Sequence, residues 1–546
     1  MSGIGPIFNN FLISGRDMDA SNTELPSTSG SKGARADVRI AAKGGAVQFL
    51  GYGINRGISL VFVAVMVRLL GPAGFGLYRQ VAQILQMLGN LGPVGFESAA
   101  LRSIVHARAI DDPGAVRGAA RVALIGAGLV SSALFVAVFG LADLIAEAFA
   151  DEPAQREQMS FLLRLGAAFV PLWAVQAVLR ACTQAYQTLA PSVIVGNVVQ
   201  PVALIVVAGL ALFLGFGVEG AVAGLVLSVV FALAAAIWFF QRIRTPEERS
   251  ARPRISIRPM VAFALPMAGV ELFRVGGLGV GILVLGLLGS DREVGLFAVA
   301  ASLQGVALIF PKAISGIWRS MVADLDRRGE TERLAALYQT INRWVATFSF
   351  FLIAALIVRP EPFVQILGGR EVADAASLTT ILAVGTLFAI GTGPCAQLIS
   401  MTGRPAMNLV NSVVGICIYA GLSWLFVPAY GAVGMAVVDS LVTTLLNVAR
   451  VVEAKLLTGI QPFGASFLKP IVATLAAGAV LYGWRFLSTG SLPLELAGLA
   501  VAGIVYVAVF LIAGVDPEER YVYRRIKTRL LSSVGGGRSD QDDLEG

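Results

Sequence analysis

The side chains that could do chemistry in this chain are a few charged residues inside long apolar runs. They are Arg56, Arg274, Lys312, Glu97, Glu271 and Asp439. A charged side chain at the centre of a membrane span costs about 3 kcal/mol or more to insert, so it normally faces a cavity or a partner. A guanidinium binds phosphate through a planar fork of N–H donors. The cations therefore predict a cavity that takes an anionic substrate.

Catalytic, metal and nucleic-acid functions have little support in the sequence. The one histidine, His106, lies in a predicted cytoplasmic loop, and the three cysteines show no paired or metal-ligand spacing. The net charge of +7 arises mostly from arginines in short loops between apolar runs, which is the pattern of a membrane protein. We predict no cofactor, no metal and no enzymatic activity.

The composition predicts a polytopic all-α membrane protein. Hydrophobic residues make up 56% of the chain and charged residues 14%, with a mean hydropathy of +0.76. Soluble domains carry roughly 25% charged residues. The predicted spans are 46–70, 75–98, 119–140, 159–180, 192–214, 219–240, 260–288, 293–317, 337–358, 376–400, 406–427, 431–450, 467–486 and 493–514.

Two six-span halves repeat one another along the chain. Gly76 and Gly295 stand at equivalent positions, and so do Pro93 and Pro311. Pro311 lies within the eighth span, directly before Lys312, and predicts a kink that would open backbone groups toward a cavity. Each half holds an even number of spans, so the repeat is parallel and places a substrate site between the halves. Arg56 and Arg274 each lie fifteen residues before the glycine that ends their span, Gly71 or Gly289.

The repeat divides the chain into six segments. The predicted segments are a disordered tail (1–42), a first lobe (43–240), a basic linker (241–259), a second lobe (260–457), two further spans (458–514) and a tail that is basic and then acidic (515–546). Arginines are concentrated in the 2–3, 6–7 and 8–9 loops, which predicts that both termini are cytoplasmic. The usage of Ala, Gly, Val and Arg favours a bacterial inner membrane.

Several charged residues admit two interpretations. Glu271 shares a helix face with Arg274, and the pair can neutralise one another. Glu97 lies in the cavity or caps the end of its span. Arg164 and Arg343 lie near span ends, where a long side chain can snorkel to the interface. The deep acids Asp439 and Glu271 are candidates for binding a coupling proton or Na⁺.

The stretch from Lys43 to Arg102 resembles the opening of bacterial polysaccharide exporters. The similarity lies in LLGPAGFGLY at 69–78 and in GF-x-x-A-x-x-R, formed by Gly95, Phe96, Ala99 and Arg102. This is the oligosaccharide flippase branch of the superfamily that also contains the multidrug and toxic compound extrusion transporters and the lipid II flippase.

The resemblance implies a V-shaped two-lobe fold, alternating access and a polyprenyl-pyrophosphate-linked oligosaccharide as cargo. Such cargo serves the synthesis of exopolysaccharide, capsule or the O-antigen of lipopolysaccharide. Membrane lipids and the polymerase and export machinery are the implied partners. A drug or cation antiporter of the same superfamily is the nearest alternative, and a membrane saccharide polymerase is the alternative from another class.

Overall fold

The computed structural model describes residues 29–186, 188, 190–275, 279–487 and 490–514. All regular secondary structure in these ranges is helical, as predicted. The first part of the predicted N-terminal tail (1–28) and the predicted C-terminal tail (515–546) lie outside the described residues. Helix α1 begins at Ser29, inside the segment predicted to be a disordered tail. Ala, Arg and Lys in this stretch favour continuation of a helix that the apolar span has already nucleated.

The first lobe contains nine α-helices and one π-helical turn in the described residues. They are α1 (Ser29–Leu91), α2 (Phe96–Ala109), α3 (Pro113–Gly140), α4 (Ala142–Phe149), α5 (Pro153–Gly166), α6 (Phe169–Gln184), α7 (Ala190–Ile194), the π-helical turn (Val195–Val199), α8 (Gln200–Phe213) and α9 (Gly217–Ile243).

The linker and the second lobe follow with ten described α-helices. They are α10 (Pro246–Ser250), α11 (Ile257–Val275), α12 (Val280–Leu288), α13 (Asp291–Ala307), α14 (Ile309–Arg327), α15 (Thr331–Val358), α16 (Glu361–Gly368), α17 (Ala375–Gly391), α18 (Cys395–Met401) and α19 (Pro405–Thr458). A 3₁₀ turn, Gly369–Val372, lies between α16 and α17.

A second compact unit begins at Phe463. Its described helices are α20 (Leu468–Trp484) and α21 (Leu492–Ile512), preceded by the 3₁₀ turn Ala465–Phe467. The indole N–H of Trp484 donates to the carbonyl of Leu494 at 3.0 Å, and the Lys469 ammonium donates to the carbonyl of Gly514 at 2.7 Å. These two helices correspond to the two predicted spans outside the repeat.

Ten described helical segments are long and apolar enough to cross a membrane, or eleven if a bent pair is one span. Two of these segments are very long because each contains a kink. Gly71 interrupts α1 with φ 69° and ψ 173°, and Gly431 interrupts α19 with φ 54° and ψ −134°. Glycine reaches this left-handed region without a Cβ clash. The predicted boundaries between spans 1 and 2, and between spans 11 and 12, fall at these kinks.

The second span of each lobe breaks at the repeated proline. In the first lobe, α1 ends at Leu91 and α2 begins at Phe96, with Pro93 in the turn. In the second lobe, α13 and α14 meet at Leu308 with a bend of 54°. Pro311 has no N–H to donate to the carbonyl of Ala307, which explains the break. The bend confirms the predicted proline kink.

The linker between the lobes is attached to the first lobe at its buried glutamate. Glu248 accepts a hydrogen bond from the Tyr186 hydroxyl at 2.8 Å and pairs with Arg108 at 3.4 Å. Its backbone N–H donates a hydrogen bond to the Thr245 hydroxyl oxygen at 3.2 Å, as part of a capping box that starts α10. Burial and the hydrogen bond to Glu248 raise the pKa of the Tyr186 phenol above its usual value, so it remains a donor.

The linker contacts the first lobe at a second place, shortly before α11 begins. The Arg254 guanidinium binds Asp112 at 2.6 Å, and its backbone N–H donates to the carbonyl of Gly114 at 2.9 Å. Gly118 packs against the backbone of Arg254, and a Cβ at position 118 would overlap the Arg254 carbonyl oxygen. The linker up to Arg254 is therefore part of the first lobe, and residues 255–256 are the short connection to α11.

The two lobes touch through equivalent glycines of the repeat. A Cβ on Gly76 would overlap the carbonyl of Asp291, and a Cβ on Gly295 would overlap the carbonyl of Pro72. Gly76 and Gly295 are separated by 219 residues, and so are Pro72 and Asp291, so the contact is reciprocal with respect to the repeat. The Gln80 amide adds a hydrogen bond to Asp291 at 2.6 Å.

We expect Gly76→Ala to weaken this contact between the lobes. The added methyl group meets backbone atoms that cannot rotate away, and such overpacking costs about 1–3 kcal/mol. Gly53→Ala on the same helix is the matched control, because no heavy atom lies within 4 Å of its would-be Cβ. Thermal unfolding of the purified proteins measures the difference. Equal melting temperatures for the two variants would contradict the close approach.

Candidate functional site

Arg56 extends from the first lobe to the second. Its Nη2 donates to the backbone carbonyl of Ser302 in α13, and its guanidinium lies against Gly305. The side chain is half-buried, and its Nε has no hydrogen-bond partner in the described part of the protein. A side chain at position 305 would occupy the place of the guanidinium, so glycine is what allows this approach.

Two further cations act on Arg56. Arg79 stands on α1 beyond the kink at Gly71, and Lys312 stands on α14 directly after Pro311. Arg79 repels Arg56, and Arg56 in turn repels Lys312. We call Arg56, Arg79 and Lys312 the cation cluster. It combines groups from both lobes, and an anion bound among them would relieve their mutual repulsion.

Sequence reasoning missed Arg79. It lies four residues inside the predicted span 75–98 and met the same criterion as Arg56, a charge within an apolar run. The repeat drew attention to cations with an equivalent in the other lobe. The equivalent of Arg79 is Ala298, so the comparison of halves did not identify it.

Glu97 interacts with an arginine of its own lobe. It lies in the first turn of α2 and attracts Arg180 of α6. The Arg180 guanidinium lies 5.9 Å from the ring centre of Trp173 and packs on Gly196 in the π-helical turn. An acid in the first turn also interacts favourably with the helix dipole. Glu97 thus acts electrostatically on Arg180, a residue that sequence reasoning did not select.

Asp439 lies in a polar group inside the second lobe. The Tyr419 hydroxyl is 3.4 Å from Asp439 Oδ1, and Gln304 also donates a hydrogen bond to this carboxylate. Gln304 is two residues from Ser302, the acceptor of Arg56. Helix α13 therefore carries both the contact of the cation cluster and a donor to Asp439, so a movement of α13 would affect both groups.

Glu271 and Arg274 lie on α11, within the predicted seventh span. Their backbone is helical, which places them three residues apart on one helix face, as predicted. Their side chains lie outside the described part of the protein. Their participation in the site remains a prediction.

The arginines near span ends have different surroundings. Arg164 pairs with Asp143 at 2.6 Å, and the Ser160 hydroxyl donates to the same carboxylate at 2.5 Å. The hydrogen bond from Ser160, followed by the charge of Arg164, holds the pKa of Asp143 below its usual value. Arg343 is buried in α15. Among the described residues, no three His, Cys, Asp or Glu side chains form a group that could hold a metal ion.

We expect Gly305→Ala to displace Arg56 without unfolding the protein. The nearest atoms to the added methyl are the tip of a flexible side chain, which can move, unlike the backbone at Gly76. Gly421→Ala is the control, because the space around its would-be Cβ is open. Substrate transport should fall in Gly305→Ala alone, while thermal unfolding stays at the control value. Unchanged transport would show that the position of Arg56 does not matter.

Comparison with solved structures identifies the fold. The lipid II flippase MurJ in an inward closed conformation aligns with a TM-score of 0.67 and 12% identity, covering 88% of this chain and 100% of that one. A multidrug resistance MATE family transporter of the MOP superfamily, inward-facing, aligns with a TM-score of 0.62 and 14% identity, covering 75% and 94%.

A third solved structure has a functional description of its own. A MOP superfamily transporter from Pyrococcus furiosus, whose binding pocket is described as having reverse polarity, aligns with a TM-score of 0.54 and 15% identity. The alignment covers 77% of this chain and 96% of that one. Comparison with curated protein sequences gives no match.

The sequence itself matches a protein family over about half of its length. The match covers residues 41–316 and the family is described as polysaccharide biosynthesis protein. It includes the first lobe, the linker and the start of the second lobe up to residue 316, and so contains Lys312. The chain belongs to the polysaccharide biosynthesis protein family and has the helical fold of the MOP superfamily transporters.

Proposed function

We propose that the chain moves a polyprenyl-pyrophosphate-linked oligosaccharide across the bacterial inner membrane by alternating access. The cation cluster, to which both lobes contribute, is the observation that carries this proposal. Family membership supports a role in polysaccharide synthesis. The product would be an exopolysaccharide, a capsule or an O-antigen, and the termini would be cytoplasmic.

A pyrophosphate fits the chemistry of the cation cluster. It carries several negative charges that hydrocarbon cannot solvate, and guanidinium groups bind its oxygens with paired donors. Arg56 and Arg79 come from α1, whereas Lys312 comes from α14. A single anion bound by all three would hold the lobes together at this point, so occupancy of the site would change the balance between conformations.

The reciprocal glycine contact is suited to opening and closing. At Gly76 and Gly295 the lobes meet through backbone atoms, so they can separate there without rearranging long side chains. Residues 255–256 form a short connection beyond the anchored linker. Rocking of one lobe against the other would separate the glycines at one end while the linker stays with the first lobe.

Asp439 is the proposed site of ion coupling, with Glu271 as a second acidic candidate. A carboxylate held by Tyr419 and Gln304 can exchange a proton or bind Na⁺ as its surroundings change. Because Gln304 and Ser302 share α13, the state of Asp439 would be communicated to Arg56. A drug or cation antiporter would also need a deep acid, but it has no evident use for three neighbouring cations.

We expect the double variant Arg56→Gln/Arg274→Gln to lose transport while remaining folded. Each arginine would provide charge-assisted hydrogen bonds worth about 1.5–3 kcal/mol, so the rate should fall roughly a hundredfold or more. The control is Arg164→Gln/Arg292→Gln, which removes two exposed arginines that pair with Asp143 and Asp374. Flipping of a lipid-linked oligosaccharide in proteoliposomes is the measurement, and wild-type rates in the first double variant would refute the proposal.

We expect Asp439→Asn to separate substrate binding from ion coupling. The amide keeps hydrogen bonds to its neighbours but cannot accept a proton or hold a cation by charge. Proteoliposome transport should then no longer respond to an imposed pH or Na⁺ gradient, while affinity for the lipid-linked oligosaccharide is retained. Glu361→Gln, an exposed acid of the same lobe, is the control. Drug efflux with no movement of lipid-linked sugar would favour the antiporter instead.

A further inference from the structure

An apolar groove lies beside the break between α13 and α14. It has a volume of about 230 Å³ and is lined by Val306, Ala307, Ile309, Phe310, Phe348, Ser349 and Leu352. Pockets that enclose a drug-sized ligand measure roughly 300–1,000 Å³. The groove is therefore sized for part of a long apolar chain.

The groove lies at the proline break. The helix bends by 54° at Leu308, and the residues on either side of the bend, Ala307 and Ile309, both line the groove. One wall is then the aromatic pair of Phe310 and Phe348, whose ring centres are 4.6 Å apart. Val306, Ala307, Ile309 and Leu352 add aliphatic groups and Ser349 adds one hydroxyl, so the lining is mainly apolar and suits a branched hydrocarbon.

The groove begins next to the cation cluster. Lys312 follows Ile309 by three residues on α14, so the two share a helix face. Lys312 also interacts with Arg56. An anion held by Lys312 and Arg56 would thus have an apolar channel within one helical turn of it. This combination matches a ligand that has a charged head joined directly to an apolar chain.

The far end of the groove reaches the protein surface. Phe348 on α15 is 67% exposed, and α15 is one of the helices long and apolar enough to span a membrane. An exposed phenylalanine on such a helix is compatible with surrounding hydrocarbon. A chain lying in the groove could therefore leave the protein at Phe348 and enter the lipid.

We propose that this groove binds the isoprene units next to the pyrophosphate of the lipid carrier. The proposal rests on the proposed function and assigns a place to the apolar part of its substrate. The pyrophosphate would lie at the cation cluster, and the first isoprene units would follow the aromatic wall formed by Phe310 and Phe348. The chain remains in contact with apolar side chains, while only the polar head occupies the contact between the lobes.

Photolabelling provides the test. The probe is a polyprenyl pyrophosphate with a diazirine on the isoprene units next to its head, applied to the full protein in lipid nanodiscs. We expect labelled peptides from residues 306–312 and 348–352, and competition by unlabelled polyprenyl pyrophosphate. A phospholipid with a diazirine in its acyl chain is the comparison probe. Equal labelling by that probe, unaffected by the competitor, would overturn the proposal.

A matched pair of variants provides a second readout. Phe348→Gln changes an exposed wall residue and should weaken binding of the long polyprenyl pyrophosphate by roughly tenfold. It should leave binding of a pyrophosphate with a single isoprene unit unchanged. Phe388→Gln replaces another exposed phenylalanine of the second lobe, on α17, and is the control. Equal loss for both ligands, or in both variants, would contradict a chain-binding role for the groove.

The outcomes separate this inference from the proposed function. Saturable labelling by the polyprenyl probe at other residues, with none in the groove, would remove the groove and leave the flippase proposal standing. Absence of saturable binding of any polyprenyl pyrophosphate would remove both. Loss of labelling in Arg56→Gln, with the groove otherwise intact, would show that the head and the chain are bound as one unit.

Discussion

A guanidinium inside an apolar helix bundle needs hydrogen-bond acceptors from the protein, in place of those that water would otherwise provide. In this structure Arg56 finds an acceptor in the other lobe: it donates a hydrogen bond to the Ser302 carbonyl, and the missing side chain at Gly305 leaves room for the guanidinium. The charge therefore ties the position of α1 to that of α13. Any movement of one lobe against the other at this point must break or replace the hydrogen bond between Arg56 and Ser302. The need to satisfy one buried charge therefore restricts the relative positions that the two lobes can take.

The other features of the site follow from this dependence. Arg79 and Lys312 raise the positive potential around Arg56, and the proposed anion would relieve this repulsion. After the break at Leu308, the first turn of α14 contains Lys312 as well as Ile309 and Phe310, which line the apolar groove. Helix α13 extends from the reciprocal glycine contact at Gly295 to Gln304, the donor to Asp439. One helix thereby joins the contact between lobes, the anion site and the proposed coupling acid.

The helix break and several of the buried charges could be predicted from the sequence, because they depend on local composition and on the internal repeat. The proline break in α13–α14 was predicted from Pro311, since a missing N–H has the same effect in any helix. Arg56 stood out because a charge in an apolar run is costly. Arg79 met the same criterion, but the equivalent residue in the second half, Ala298, is uncharged, and Arg79 was missed. Arg180 was missed because it stands at the end of its predicted span, where an arginine is ordinary.

The sequence by itself determined that the chain is an all-helical membrane protein with two repeated halves, because hydropathy and recurrence are properties of the chain alone. It paired Gly76 with Gly295 as equivalents. Only the tertiary structure decided that these glycines touch each other's lobes, that Arg56 reaches Ser302, and that Glu97 acts electrostatically on Arg180. Such interactions join residues far apart in the chain, and their existence depends on the positions that packing gives to whole helices. Periodicity and spacing contain no information about those positions.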